Sequence, residues 1–330
     1  MTTAIQWTDE TWNPVTGCRK VSPGCKHCYA EGVADRFWAS QYPPVEDTFS
    51  ARPRRFTDVQ VHPDRLEQPL SWRKPRRVFV NSMSDLFHED VPDEFIEDVF
   101  GVMARAQRHT FQVLTKRPER MRDWFDHRLR EGWVHWAPVM DRVPGCERMA
   151  AEDWPGWPLP NVWLGVSVED QQRADERIPL LLDTPAVCRF LSCEPLLEAV
   201  NLRQIELIAP EVHGTAPNRV VMPGAYLDAL TGHVAGPDDV LPAVDWVIVG
   251  GESGPQARPM DLAWARSLVE QGHAAGVPVF VKQLGRRPAR RIGGTDQHGP
   301  ELIDLPRFRD NHGGDWDEWP ADLRVREFPA

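Results

Sequence analysis

The sequence predicts an α/β protein built as a parallel (β/α) barrel, complete or partial. Short apolar runs that end in polar residues recur along the chain, and amphipathic helical stretches separate them. Near-continuous apolar strands are typical of parallel sheets that helices cover on both faces. Six such runs and one N-terminal strand favour a barrel over an open doubly wound sheet.

Each element has its own pattern. Ile5, Trp7 and Val15 indicate a first strand, interrupted by the pair Asn13 and Pro14. The six later apolar runs are 78–80, 111–114, 162–166, 188–191, 246–249 and 277–281. Helical spacing of apolar residues predicts helices over 29–40, 93–108, 170–182 and 262–275, the first with Tyr29, Val33, Phe37 and Trp38 in register.

The loop between the first strand and the first helix contains three cysteines. Residues 17–29 read GCRKVSPGCKHCY and place Cys18, Cys25 and Cys28 in a C-x6-C-x2-C pattern. Pro23 and Gly24 predict a turn that folds the thiols toward one another. Three close thiolates without an obvious fourth ligand indicate a metal centre with one open position, as in an iron–sulfur cluster held by three protein ligands.

Other interpretations of these cysteines stay open on spacing alone. Zinc suits thiolates, and His27 or a distant histidine would complete a Cys3His site. A disulfide is less favoured, because three cysteines cannot all pair and the N-terminus, MTTAIQWTDE, is not a signal peptide. Unliganded core thiols do not require such clustering, and the scattered Cys146, Cys188 and Cys193 are expected to be of that kind.

Composition limits the classes of partner. The 330-residue chain carries a net charge of −11, which argues against a protein that coats nucleic acid. Residues 51–80 are locally basic, with eight Lys or Arg against three Asp or Glu, and Arg286, Arg287, Arg290 and Arg291 form a second cluster. These are either solvated surface or a dock for a phosphate-bearing substrate. No apolar run has the length of a membrane span, so a cytoplasmic protein without membrane contact is expected.

The polar ends of the predicted strands point to one shared site. In a parallel barrel the carboxyl ends of all strands face the same rim, where barrel enzymes place their chemistry. We therefore expect the cysteine loop to share that mouth with the charged residues that follow the strands, namely Asp85, Lys116, Glu169, Glu194, Glu252 and Lys282. The barrel is expected over 1–290 with insertions at about 131–160 and 198–243, followed by an acidic extension, 291–330, that caps it.

Seven segments together resemble a known family. They are GCRKVSPGCKHCYAE, NSMSDLF, VLTKRP, GVSVED, SCEPLL, VGGESG and VKQLG, in this order between about Gln6 and Gly285. The set resembles phage- and prophage-associated proteins of unknown function that are placed among the radical S-adenosylmethionine (SAM) enzymes. The chain differs from the usual C-x3-C-x2-C by three extra residues in the first gap, and His27 precedes the third cysteine.

The resemblance implies cofactors and ligands. Cys18, Cys25 and Cys28 would ligate a [4Fe–4S] cluster whose fourth iron binds S-adenosylmethionine. Reductive cleavage would then give a 5′-deoxyadenosyl radical, with the electron supplied by an external donor. Asn81, Ser82 and Asp85 would hold the methionine end of S-adenosylmethionine, and Lys116 would face its carboxylate. Ser167 and Glu169 would contact the ribose. Gly250, Gly251 and Glu252 would approach adenine or substrate, and the cofactor or substrate would also be faced by Glu194, Arg258, Lys282 and Gln283.

The resemblance thus implies a radical SAM enzyme with a barrel of that type, acting on a small molecule or a nucleic acid. An alternative in the same class is repair of DNA resembling that by photoproduct lyases, which would need the basic segment to bind duplex. A different class is a zinc- or iron–sulfur-containing protein that binds nucleic acid without turnover.

Overall fold

The chain forms two compact units. One comprises Met1–Leu164 with Pro185–Val187, and the other Gly165–Thr184 with Cys188–Ala330. The computed structural model describes residue 3 and residues 5–46, 51–130, 142–143, 156–207, 225–235, 240–292 and 301–330. Most of the predicted insertion 131–160, with Cys146, lies outside these residues, as do 208–224 and 236–239 of the predicted insertion 198–243.

The first unit begins with short strands and continues as alternating strands and helices. In chain order these are β1 (Glu10–Trp12), β2 (Val15–Thr16), α1 (Tyr29–Gln41), β3 (Val45–Glu46), β4 (Ala51–Arg52), β5 (Gln60–Val61), α2 (Gln68–Ser71), β6 (Arg77–Val80), α3 (Asp93–Arg105), β7 (Thr110–Thr115) and α4 (Pro118–Arg130). Strands β1, β6 and β7 pair in parallel, whereas β2 pairs antiparallel with β5. The cysteine loop therefore follows a strand that lies outside the main sheet.

The second unit repeats the alternation and adds small antiparallel sheets. The strand β8 (Val162–Ser167) begins in the first unit and ends in the second. It is followed by α5 (Gln171–Asp183), β9 (Cys188–Cys193), β10 (Ile205–Glu206), β11 (Tyr226–Asp228), β12 (His233–Val234), β13 (Trp246–Gly250), β14 (Met260–Asp261), α6 (Leu262–Ala275), β15 (Val279–Gln283), β16 (Pro288–Ile292) and β17 (Glu301–Asp304). Strands β9, β13 and β15 pair in parallel.

The main sheet has the strand order of a partial barrel. Its seven strands follow one another in chain order, β1-β6-β7-β8-β9-β13-β15. Strands in sequential order with helices between them are the pattern of a (β/α) barrel. The predicted α/β class is confirmed, and all six predicted apolar runs overlap strands of this sheet.

Burial and capping explain the regular elements. Strand β13 is buried along its whole length, as expected for an interior strand of a parallel sheet. Asp261 caps α6 by accepting a hydrogen bond from the Ala263 amide, and Gly276 ends it in the left-handed conformation with φ 71°. The predicted helix 29–40 is observed as α1. Of the apolar residues that indicated it, Trp38 is buried with Ala30 and Ala34, whereas Tyr29 and Phe37 are exposed.

The acidic extension belongs to the second unit. Strand β17 pairs antiparallel with β16. Further on, the Val281 amide donates to the Val325 carbonyl and the Glu327 amide to the Val279 carbonyl, at 2.9 and 3.0 Å. These bonds cover the outer edge of β15, which would otherwise present unpaired backbone groups. Among the described residues, no helix has the length and apolar character needed to cross a bilayer.

Candidate functional site

Gly17 determines the backbone position of Cys18, the first cysteine of the loop. Gly17 has φ 95°, and a Cβ there would lie 2.6 Å from the Asp58 carbonyl oxygen and 2.9 Å from that of Phe56. The Gly17 amide donates to the Met83 carbonyl at 3.0 Å, and the next amide, of Cys18, donates to the Phe56 carbonyl at 2.9 Å. Only glycine fits this combination of conformation and close backbone approach. The position of Cys18 is therefore fixed by its backbone.

The buried Arg54 side chain supports the strand that precedes the cysteine loop. The Arg54 guanidinium donates to the carbonyl and the hydroxyl of Thr16, at 2.9 and 2.8 Å, and lies 4.2 Å from the ring centre of Trp38. The same hydroxyl is 2.7 Å from Nε2 of His62. Burial, and to a smaller extent the neighbouring Arg65 and Arg54, lower the pKa of His62 to about 4. Arg54 and His62, both within residues 51–80, therefore stabilise the strand that precedes Cys18.

The three thiols lie in different local settings. All are half-buried and none forms a disulfide. Cys25 ends a short 3-10 turn, with its Sγ 3.8 Å from the Ser22 hydroxyl. Cys28 is the N-cap residue of α1, where the helix dipole favours a negative charge such as a thiolate. Burial, with a smaller contribution from the Asp85 carboxylate, raises the pKa of the Cys18 thiol to about 12, and Arg117 opposes this increase.

The loop after β6 is tied to the cysteine loop by reciprocal hydrogen bonds. Asn81, in the left-handed region with φ 61°, accepts the Val15 amide on Oδ1 at 3.2 Å. In return Asn13 Oδ1 accepts the Ser82 hydroxyl and the Met83 amide, at 3.2 and 3.0 Å. The Tyr29 hydroxyl donates to the Ser82 carbonyl at 2.7 Å. The predicted residues Asn81 and Ser82 thus lie next to the cysteine loop.

Asp85 organises the end of the next strand. It is buried, and its carboxylate accepts the Phe87 amide, the Thr115 hydroxyl, the Lys116 amide and the Arg117 guanidinium at 3.0, 2.8, 3.0 and 3.3 Å. These four bonds occupy the carboxylate and fix the turn that begins α4. Asp85 therefore lies beside the cysteine loop through Arg117, which also contacts Cys18, and it holds the turn that contains the Lys116 backbone.

Arg117 is a functional candidate that the sequence analysis missed. Its guanidinium contacts the Cys18 Sγ at 3.5 Å, the Asp85 carboxylate, the Glu89 carboxylate at 3.2 Å and the Arg19 carbonyl at 3.1 Å. The side chain is only 10% exposed. The signal in the sequence was its place between the end of a strand and Pro118 at the start of a helix; the neighbouring Lys116 was predicted instead.

Most of the basic segment 51–80 is used inside the first unit. Five of its eight basic side chains have protein partners: Arg52 with Asp58, Arg54 with Thr16, Arg65 with Tyr42, Arg76 with Glu10 and Arg77 with Asp9. Charges that are already paired release few counterions from a polyanion. Most of the basic side chains of the segment therefore serve contacts within the first unit, and Arg54 among them supports the strand before Cys18.

In the second unit, three strand ends meet at one carboxylate. Glu194, just after β9, accepts the Lys282 ammonium at 2.6 Å and the Gln283 amide at 3.1 Å on the same oxygen, Oε1. Gly250 leaves room for that side chain, since a Cβ would lie 3.1 Å from its Cγ. Gln283 also donates to the Gly251 carbonyl at 2.9 Å, and a Cβ on Gly251 would lie 2.7 Å from the Leu284 carbonyl oxygen.

Two further ion pairs of this unit involve predicted residues. Glu169 is fully buried and pairs with Arg177 at 3.0 Å; the same guanidinium nitrogen donates to the Ser167 carbonyl at 2.8 Å. Glu252 is buried and accepts the Arg258 guanidinium on both oxygens, at 2.6 and 2.9 Å. The proposed contacts of these residues with a cofactor, and a single mouth shared with the cysteine loop, stay predictions.

The cysteine loop offers a donor set suited to a cluster. Among the residues that the structure describes, no three His, Cys, Asp or Glu side chains gather around one point as the ligands of a single metal ion do. A four-iron cluster binds its cysteines at separate irons, so three thiols on one loop fit it without meeting at one point. The buried Asp85–Arg117 pair beside Cys18 supplies the polar surroundings that tune such clusters.

Comparison with known proteins gives a family. A family described as a protein of unknown function, DUF5131, matches residues 2–313. The chain belongs to the DUF5131 family. No curated protein and no solved structure matches it. Membership in DUF5131 covers both units, including most of the extension, and carries no assigned reaction.

Proposed function

We propose that this protein is a radical SAM enzyme in which Cys18, Cys25 and Cys28 ligate a [4Fe–4S] cluster. The observation that carries the proposal is the loop itself. Three half-buried thiols lie between Gly17, whose backbone conformation other residues rarely adopt, and the N-terminus of a helix. The polar residues around the thiols hold the loop. A purely structural loop needs no such set of thiols, whereas a cluster with one open iron requires it.

The proposed cofactors supply the hard chemistry and the chain supplies ligation and orientation. When bound by Cys18, Cys25 and Cys28, the cluster would supply one-electron chemistry for the reductive cleavage of S-adenosylmethionine, with the electron coming from an external donor. Asn81 and Ser82 contact Val15 and Tyr29, which flank the cysteines, and the Lys116 amide is held by Asp85; all three residues are proposed to face the methionine end. Asp85 acts through the turn that it holds.

The second unit is proposed to serve the nucleoside and the substrate. Ser167 and Glu169 would align the ribose, and the close backbone at Gly250 and Gly251 would approach adenine or substrate. Lys282 and Glu194 form a hydrogen-bonded acid–base pair that suits a polar substrate. Because five basic side chains of segment 51–80 have internal partners, a small molecule or nucleotide is favoured over duplex DNA. We propose a cytoplasmic setting, where thiols stay reduced.

The test begins with anaerobic reconstitution with iron and sulfide, dithionite reduction with S-adenosylmethionine, and chromatography for 5′-deoxyadenosine. The expected result is about four irons per chain and formation of that product. Cys25→Ala is expected to lose both. Cys188→Ala, which removes a buried thiol of β9, is the matched control and is expected to keep both.

Two outcomes contradict the proposal. One is stoichiometric zinc without a cluster, which would leave a zinc-stabilised binding protein. The other is a cluster that forms without any 5′-deoxyadenosine, which would retain the cluster ligands but exclude radical SAM chemistry.

A further inference from the structure

We infer that Arg117 is a positioning residue that sets the reduction potential of the group bound by Cys18, by donating a hydrogen bond to its sulfur. The inference rests on the proposed function, since it requires a cluster at the three cysteines. The observation that carries it is the contact of Arg117 Nη1 with Cys18 Sγ at 3.5 Å. Arg117 lies 99 residues away in the chain, so the contact is a product of the fold.

The surroundings hold the guanidinium in one orientation. Its Nε donates to the Glu89 carboxylate at 3.2 Å and its Nη2 to the Arg19 carbonyl at 3.1 Å. Nη1 is shared between Cys18 and Asp85, the latter at 3.3 Å. A planar fork with all three nitrogens engaged cannot swing away from the sulfur, as a lysine can. At 10% exposure the contact is also largely shielded from water, which strengthens it.

The chemical consequence follows from charge. One-electron reduction by an external donor adds one negative charge at the cysteine-ligated group and transfers no proton. A cation and an N–H donor at a ligating sulfur stabilise the more negative form, and hydrogen bonds to the sulfurs are known determinants of cluster potential. Arg117 therefore makes the group easier to reduce. Its carboxylate partners, Asp85 and Glu89, offset part of the cation's long-range effect, so the directed N–H···S bond is the main contribution.

The experiment compares midpoint potentials of reconstituted proteins by a redox titration followed by electron paramagnetic resonance. Arg117→Gln is expected to lower the reduction equilibrium constant about tenfold, which is 59 mV for one electron. Arg117→Lys keeps the charge without the fixed fork, and a smaller decrease is expected. Arg122→Gln removes an equal charge from α4, the helix that directly follows Arg117 and where Arg122 pairs with Asp123, and is expected to leave the potential unchanged.

The outcomes separate the inference from the proposed function. If wild-type protein binds no cluster, the proposed function fails and the inference falls with it. If the cluster forms but Arg117→Gln has the potential of Arg122→Gln, the proposed function stands and the inference is wrong. If both Arg117 variants are folded by circular dichroism yet bind no cluster, Arg117 serves assembly and the tuning role is also refuted.

Discussion

The cysteine loop and the strand ends of the second unit contain similar charged residues but use them differently. In the second unit each predicted carboxylate has a cation of its own: Glu169 has Arg177, Glu194 has Lys282 and Glu252 has Arg258. Around the cysteine loop the buried Asp85–Arg117 pair also holds backbone, the turn before α4 and the Cys18 sulfur, and the three thiols are half-buried outside any disulfide. A carboxylate with a buried partner is complete as it stands, whereas a cluster of thiols on a rigid loop is suited to receive a ligand. The chemistry is therefore better sought first at the cysteines.

The largest effect on folding is expected at a completed pair. Glu169→Gln leaves the Arg177 guanidinium without its counter-charge in a buried setting. Breaking such a pair on one side costs about 3–5 kcal/mol of unfolding free energy. Asp304→Asn, at the exposed pair with Arg287, is the control and is expected to change stability by less than about 1 kcal/mol. Urea unfolding followed by far-ultraviolet circular dichroism measures both, and equal effects would show that burial does not distinguish the pairs.

The next effect separates strain from steric exclusion at the cysteine loop. Gly17 and Gly254 have almost the same φ, 95° and 99°, but a Cβ at Gly254 meets nothing within 4 Å. Gly254→Ala is expected to cost about 1–2 kcal/mol from backbone conformation alone. Gly17→Ala adds a clash with two carbonyl oxygens, so a further loss of about 1–3 kcal/mol is expected. The same unfolding assay applies, and a loss at Gly17 no larger than that at Gly254 would mean that the loop yields without cost.

Sequence patterns predicted the main sheet well because the apolar run that indicates each strand lies within that strand. Continuous apolar runs such as 246–249 are local, and the strand observed there differs from the prediction by one residue. The helix at Pro118–Arg130 was not predicted because most of its residues are polar, although Met121, Trp124 and Phe125 are buried at helical spacing. The short β10–β12 sheet was missed for a different reason: its strands have two or three residues, too few for an alternation to be read.

The site was predicted only as far as local spacing reached. The three cysteines are 7 and 3 residues apart and were visible as a group. Their supports are distant in sequence: Arg54 reaches Thr16 across 38 residues, and Arg117 reaches Cys18 across 99. Nothing in the local pattern distinguishes these arginines from solvated ones. The basic segment was therefore interpreted as solvated surface or as a dock for phosphate, whereas five of its eight basic side chains have partners within the first unit.

The smallest effect concerns the pH dependence of that support. His62 is buried against Thr16, and burial lowers its pKa from 6.5 to about 4. Between those pH values the unfolded chain binds a proton that the folded chain does not, so the unfolding free energy decreases as the pH falls through this window. The decrease from His62 is expected to reach about 2–3 kcal/mol near pH 4. His62→Gln keeps a hydrogen-bonding side chain without the titration. Its unfolding free energy is therefore expected to vary less with pH than that of the wild type between pH 6.5 and 4. Parallel curves for the two proteins would show that His62 ionises alike in the folded and unfolded chain, and that the contact with Thr16 does not depend on its neutral form.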